Sequence, residues 1–143
     1  MTTRDTRYIE ARPEIVWAVT EDVERWPEWT PTVSSVERVD RGPFRLGSAA
    51  RIKQPAQGAA EWTVVEFEHG VRFAWESRRR GLRMVGSHEL TPHGTGTISV
   101  LGVEASGPVA VLMWPILWPA TRLAIWRENR GLKARCEGIA ARH

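Results

Sequence analysis

Residues 106–141 read SGPVAVLMWPILWPATRLAIWRENRGLKARCEGIAA. Pro108, after Ser106 and Gly107, suits the first turn of a helix, where a missing backbone N–H costs nothing. From there apolar residues return at helical spacing. Leu112, Ile116, Ala120 and Leu123 form one line, and Leu117, Ile125, Leu132, Cys136 and Ile139 extend it. The far half is charged, with Arg122, Arg127, Arg130, Lys133, Arg135 and Arg142 against Glu128 and Glu137. This pattern predicts one long amphipathic helix to about residue 141, laid on another surface. Pro115 and Pro119 either kink the helix or delay its start.

The surface is supplied upstream. Strand-like runs occupy residues 33–40, 48–54, 61–68, 71–78, 82–90 and 96–105. They are broken by RGPFRLG, PAQGA, HG, RRG and TPHGTG, short Gly-containing links of the kind that join hairpins. The middle of the chain therefore reads as an antiparallel meander. Ahead of it, TRYIE (6–10) reads as a short first strand, and PEIVWAV starts a helix at Pro13. Asp22 is placed to cap a second short helix, VERWPEW, which Pro27 shortens and Pro31 ends. Strands segregated from a packing helix make an α+β domain, and 143 residues argue for one domain, 1–143.

Composition excludes several classes. Net charge is +3, but the charges are mixed along the chain, and SRRRGLR (77–83) reads as a solvated hairpin tip around Gly81. No nucleic-acid partner is expected. The uncharged run 108–121 is short against the ~20 residues of a membrane span, so no stable membrane insertion is expected. The N-terminal stretch MTTRDTRYIE lacks the apolar core of a signal peptide, and one cysteine allows no internal disulfide. Both fit a cytoplasmic protein. His69, His88, His93 and His143 lack metal-ligand spacing, and no nucleophile elbow or phosphate loop is present. No metal or cofactor is expected.

Several stretches together carry a family likeness: IEARPEIVWAVTEDVERWPEWTPTVSSVE, QP at 54–55, WTVVEFEHGVRFAWES, GSHELTPHGTGT and SGPVA. In these the chain resembles the START-related, birch-pollen-allergen-like helix-grip superfamily (SRPBCC), and within it the bacterial polyketide cyclase/dehydrase group. The likeness spans almost the whole chain in order. It implies a helix-grip fold: a curved seven-stranded antiparallel sheet wrapped around a long C-terminal helix, with two short helices after the first strand. It also implies an internal cavity for an apolar small molecule. A fold of this kind does not by itself fix a reaction.

Eight tryptophans are many for a chain this short. Each buries about 150–250 Å², which offsets packing that a hollow fold gives up. The RWPEW turn reads as a rigid wall at one end of the sheet. Strand alternation sorts the rest. Phe73, Trp75 and Ser77 share a face, as do Met84, Gly86, His88 and Leu90. Ile52 and Gln54 oppose Arg51 and Lys53, and Trp62 and Val64 share a face with Glu66. The family likeness places Ser99, Leu101 and Val103 inward. Trp29, Ile52, Gln54, Trp62, Phe73, Trp75, Met84, His88, Leu101 and Trp118 are thus the expected ligand-binding set. His88 is the one imidazole on the inner wall, a candidate general acid or base, though a structural histidine bonded across the sheet is the commoner reading of such a residue. Cys136 reads as a small core residue. The expected functions are binding of a polyketide- or lipid-like molecule, with cyclase or dehydratase chemistry open. The alternatives are a lipid or quinone carrier, or an interaction module using the Trp-rich apolar segment. A monomer or homodimer is expected.

Overall fold

The computed structural model describes residues 1–55 and 58–142. The centre of the PAQGA turn and His143 lie outside the described residues. Strand β1 (Thr2–Ile9) leads to helix α1 (Pro13–Glu21) and a 3-10 helix (Val23–Glu28). Six strands follow: β2 (Ser35–Arg38), β3 (Ala49–Gln54), β4 (Gly58–Glu68), β5 (Arg72–Arg79), β6 (Leu82–His93) and β7 (Gly96–Ser106). Helix α2 (Pro108–Ala141) completes the fold. All strands form one antiparallel sheet in the order β1-β7-β6-β5-β4-β3-β2. This is the helix-grip architecture expected from the sequence.

Helix α2 begins at Pro108 and runs unbroken through Pro115 and Pro119. Its start is tied to the β5–β6 hairpin, where Val109 N–H donates to the Gly81 carbonyl at 2.9 Å. Gly81 has φ +73°, and an added Cβ there would meet the Val109 side chain at 2.7 Å. Glycine therefore serves both the turn and the close approach.

Two readings of the sequence are corrected here. Of the line Leu112–Ile116–Ala120–Leu123 only Ala120 looks toward the sheet, across a gap; Leu112 is 78% and Ile116 66% exposed. The buried stripe is Ile125, Asn129, Leu132 and Cys136. Residues 109–120 are apolar all round, so periodicity there cannot choose a face. The face is set further along, where Ile125, Leu132 and Cys136 of the expected line are buried, and Asn129 anchors it: its buried Nδ2 donates to the Asp5 carbonyl (3.2 Å), Asp5 Oδ2 (2.9 Å) and the Ser99 carbonyl (3.1 Å). Second, Glu66 is exposed and paired with Arg72 at 2.9 Å, because a bulge between Val64 and Glu66 breaks the alternation of β4. Phe67 packs against the core in its place.

Asp22 does stand ahead of the second short helix, but that helix is 3-10 and the Asp22 side chain makes no cap hydrogen bond; its carbonyl accepts from Arg25 N–H (3.1 Å) and its carboxylate pairs with Arg25 at 3.3 Å. The first strand starts at Thr2 and β6 runs on to His93, both longer than the sequence suggests.

Candidate functional site

The small residues of α2 make the site possible. Thr121, Ala124, Ile125 and Glu128 recur at one helical face. Thr121 and Ala124 are too short to reach the sheet, so a gap remains beneath them. Trp62 and Trp75 wall it from β4 and β5, their rings 6.1 Å apart. Ile52, Gln54, Met84, Gly86, His88 and Leu101 complete an inner chamber of about 100 Å³. An outer chamber of about 310 Å³ shares Gln54, Trp62, Met84 and Thr121 with it, and adds Ser77, Arg79, Leu82, Leu117 and Ala120. The outer volume stands at the lower end of small-molecule pockets, roughly 300–1,000 Å³.

Gly86 keeps the inner chamber open. A Cβ there would touch Trp75 Nε1 at 3.5 Å and Trp62 Cζ3 at 3.8 Å, an ordinary contact, so larger side chains would fill the space.

His88 lies at the closed end. Its ring stacks on Phe73 with centroids 5.1 Å apart and planes at 6°. Trp26 packs beside both rings, its centroid 5.0 Å from His88 and 6.5 Å from Phe73. Nε2 is 3.5 Å from Glu128 Oε1, across the gap between β6 and α2. Nδ1 is buried with no partner within the described protein, as is Trp62 Nε1. The site thus holds an imidazole–carboxylate pair and an indole N–H with unused hydrogen-bonding capacity among apolar walls. Buried polar groups are normally satisfied, and these two atoms are exceptions within the walls of the site. Among the described residues no group of three His, Cys, Asp or Glu is placed to hold a metal ion.

Of the ten expected site residues, Ile52, Gln54, Trp62, Trp75, Met84, His88 and Leu101 come together at the inner chamber. Three do not. Phe73 is fully buried beneath His88 and supports it without lining the cavity. Trp29 follows the 3-10 helix, where the chain turns, and lines a separate groove with Ile15, Val19, Arg135 and Ile139. Trp26 takes the place expected of Trp29: its Nε1 donates to the Thr20 carbonyl (3.0 Å) and its ring contacts Trp75 and His88. Trp118 is 44% exposed on the outer face of α2, beside Pro119, Arg122, Leu123 and Trp126. It leaves the cavity because the helix turns its Ile125–Asn129–Leu132–Cys136 stripe to the sheet. Ser77 is buried and belongs to the outer chamber. Glu128, expected on the solvent face of the helix, is turned inward to the chamber. Its spacing of three and seven residues from Ile125 and Thr121 is the signal that points there.

Cys136 is fully buried, and burial pushes its thiol up to about 12. It is a core residue, as expected.

Residues 1–137 match the family described as polyketide cyclase / dehydrase and lipid transport, and the chain belongs to that family. No curated protein sequence matches it. Among solved structures, a protein from Thermus thermophilus is 24% identical with a TM-score of 0.79, covering 98% of this chain and 99% of that one. The di-domain ARO/CYC StfQ from the steffimycin biosynthetic pathway is 16% identical with a TM-score of 0.80, covering 98% of this chain and 51% of StfQ. A START superfamily protein from Mycobacterium smegmatis is 15% identical with a TM-score of 0.71, covering 99% and 97%. At these identities the likeness defines the fold.

Proposed function

We propose that the chain binds an apolar small molecule of polyketide or lipid type in the two-chamber cavity, and that His88 and Glu128 act on it as an acid–base pair. The observation that carries this is the imidazole–carboxylate contact at the closed end of a chamber walled by Trp62, Trp75 and Met84.

On a poly-β-ketone the chemistry is an aldol closure. His88 takes a proton from a methylene between two carbonyls. The resulting enolate carbon attacks a second ketone carbon, forming one C–C bond and an alkoxide. The proton returns from imidazolium to that alkoxide, and loss of the hydroxyl as water with a neighbouring proton gives the dehydrated ring. Glu128 stabilises the imidazolium between the two transfers. The aromatic walls hold the flexible chain in one reactive fold, where orientation supplies much of the rate.

A carrier of a lipid or quinone is the second reading. It is favoured by the larger outer chamber, whose walls are mainly apolar. A cytoplasmic location and a monomer or homodimer belong to both readings; fractionation and light scattering test them.

Native mass spectrometry of freshly purified protein, followed by Trp fluorescence titration with polyketides and lipids, tests the cavity. Bound mass of a few hundred daltons that leaves on denaturation, or saturable quenching, supports a ligand; an apo mass with flat titrations refutes it. His88→Ala separates the readings: it abolishes turnover in a cyclase and leaves binding nearly intact in a carrier.

A further inference from the structure

The first half of α2 is apolar on every side, and most of it stands in water. An 18-residue window of the helix has a mean hydropathy of 1.4, enough by length and composition to cross a membrane, yet only 11% of it is buried. Val111, Leu112, Ile116 and Trp118 are exposed. A continuous exposed apolar surface of this kind marks a binding face.

The surroundings indicate what covers it. From Ala105 to Arg127 there is no Asp or Glu, while Arg122 and Arg127 follow the apolar run directly. The other end of the run touches the β5–β6 hairpin through the Val109–Gly81 hydrogen bond, and that hairpin carries SRRRGLR. Arg78 and Arg83 there share Glu76, whereas Arg80 is exposed and makes no ion pair among the described residues. Cations thus bracket the apolar helix at both ends. On its outer face Trp118, Pro119, Leu123 and Trp126 form an apolar hollow with Arg122 at its rim. An acyl chain with an anionic headgroup has this chemistry.

We infer that the first half of α2, with the β5–β6 hairpin, docks on an anionic lipid bilayer surface. The helix lies in the interface and does not cross it. The uncharged run of residues 108–121 spans about 21 Å at 1.5 Å per residue, against ~30 Å of hydrocarbon. Pro115 and Pro119 also deprive the Val111 and Pro115 carbonyls of their helical donors, a deficit that water and headgroups make good. An apolar face ringed by arginine and tryptophan is the pattern of interfacial helices. The outer chamber lies between this hairpin and this helix, so docking brings its mouth to the lipid. That last point rests on the cavity being a ligand site; the docking itself does not.

The test is flotation of the full chain with vesicles of phosphatidylcholine alone and of phosphatidylcholine mixed with phosphatidylserine, with Trp emission recorded in parallel. Flotation with the mixed vesicles, weakened by salt and accompanied by a blue shift, is expected. Arg80→Gln should weaken it about fivefold, and the double variant Leu112→Asp, Ile116→Asp should abolish it. All three substituted side chains are exposed, and circular dichroism checks that each variant is folded. Failure to float on the mixed vesicles overturns the inference. So does equal flotation of the double variant, or indifference to phosphatidylserine. Light scattering that finds a dimer broken by the double variant, without vesicle binding, reassigns the face to a second copy of the chain.

Discussion

Replacing Gly131 by alanine pits two effects of opposite sign. In a helix interior alanine is favoured over glycine by about 1 kcal/mol. Gly131, however, sits where the RWPEW turn presses on α2. A Cβ there would overlap the Trp29 carbonyl oxygen and lie 3.1 Å from the carbonyl carbon. The obstacle is backbone and cannot rotate aside. It is also braced, since Trp29 N–H donates to the Trp26 carbonyl (3.1 Å) and Arg135 pairs with Glu28 at 2.7 Å. Overpacking costs about 1–3 kcal/mol, and an overlap with backbone belongs at the upper end. The net loss is then about 2 kcal/mol. For a domain of this size that lowers the thermal midpoint by about 6–10 °C. Gly138 is the control in the same helix, because its nearest neighbour would be the end of the Arg142 side chain at 3.9 Å. Gly138→Ala should raise the midpoint by about 3–5 °C. The assay is thermal unfolding of the two variants side by side. Shifts of the same sign and similar size would refute the clamp.

Gly86→Leu should fill the inner chamber and weaken ligand binding by about tenfold or more, about 1.4 kcal/mol, while the fold survives; unchanged titration curves would place the ligand elsewhere. Asn129→Ala strips hydrogen bonds from Asp5 and from two buried carbonyls. It should cost about 3 kcal/mol in denaturant unfolding, and a loss below about 1 kcal/mol would show that the helix is held otherwise. Thiol reagents should leave folded Cys136 unmodified and react once denaturant is added. Burial raises this thiol in the fold, so the stability linked to it is intact below the ordinary value of 9.0 and is lost as pH climbs toward about 12. Chemical unfolding across that range measures it, and flat stability would contradict the burial.

Much of this architecture is legible in the chain. The Gly-punctuated runs mark the meander, and their alternation places Trp75, Met84 and His88 on the concave face because each sheet face repeats every two residues. The bulge after Val64 is not legible; nothing in TVVEFE marks where one residue drops out of register. The face of α2 is hidden for another reason. Where every residue is apolar, hydrophobicity carries no direction, and the face is set further along the helix, by buried Ile125, Leu132 and Cys136 and by Asn129, whose partners lie on β1 and β7. That orientation removes Trp118 from the cavity and brings Glu128 into it. Trp26 and Trp29 are three residues apart, and only the end of the 3-10 helix between them decides which ring meets His88.

The sheet order has a bearing on how the molecule is made. Strands β2 to β7 each pair with the next in sequence, whereas β1 pairs only with β7, Thr2 opposite Glu104 and Ile9 opposite Thr97. The pairing of β1 therefore cannot form until β7 has been made. Until residues beyond Gly96 exist, the meander zips by short loops with its aromatic concave side uncovered. Asn129 cannot lock the helix until both Asp5 and Ser99 are in position. Closing contacts across most of the chain is slow, and half-built sheets with bare apolar faces aggregate. The cavity consequently closes only after β7 and α2 exist, and a hydrophobic molecule present during synthesis meets an open trough before it meets a pocket.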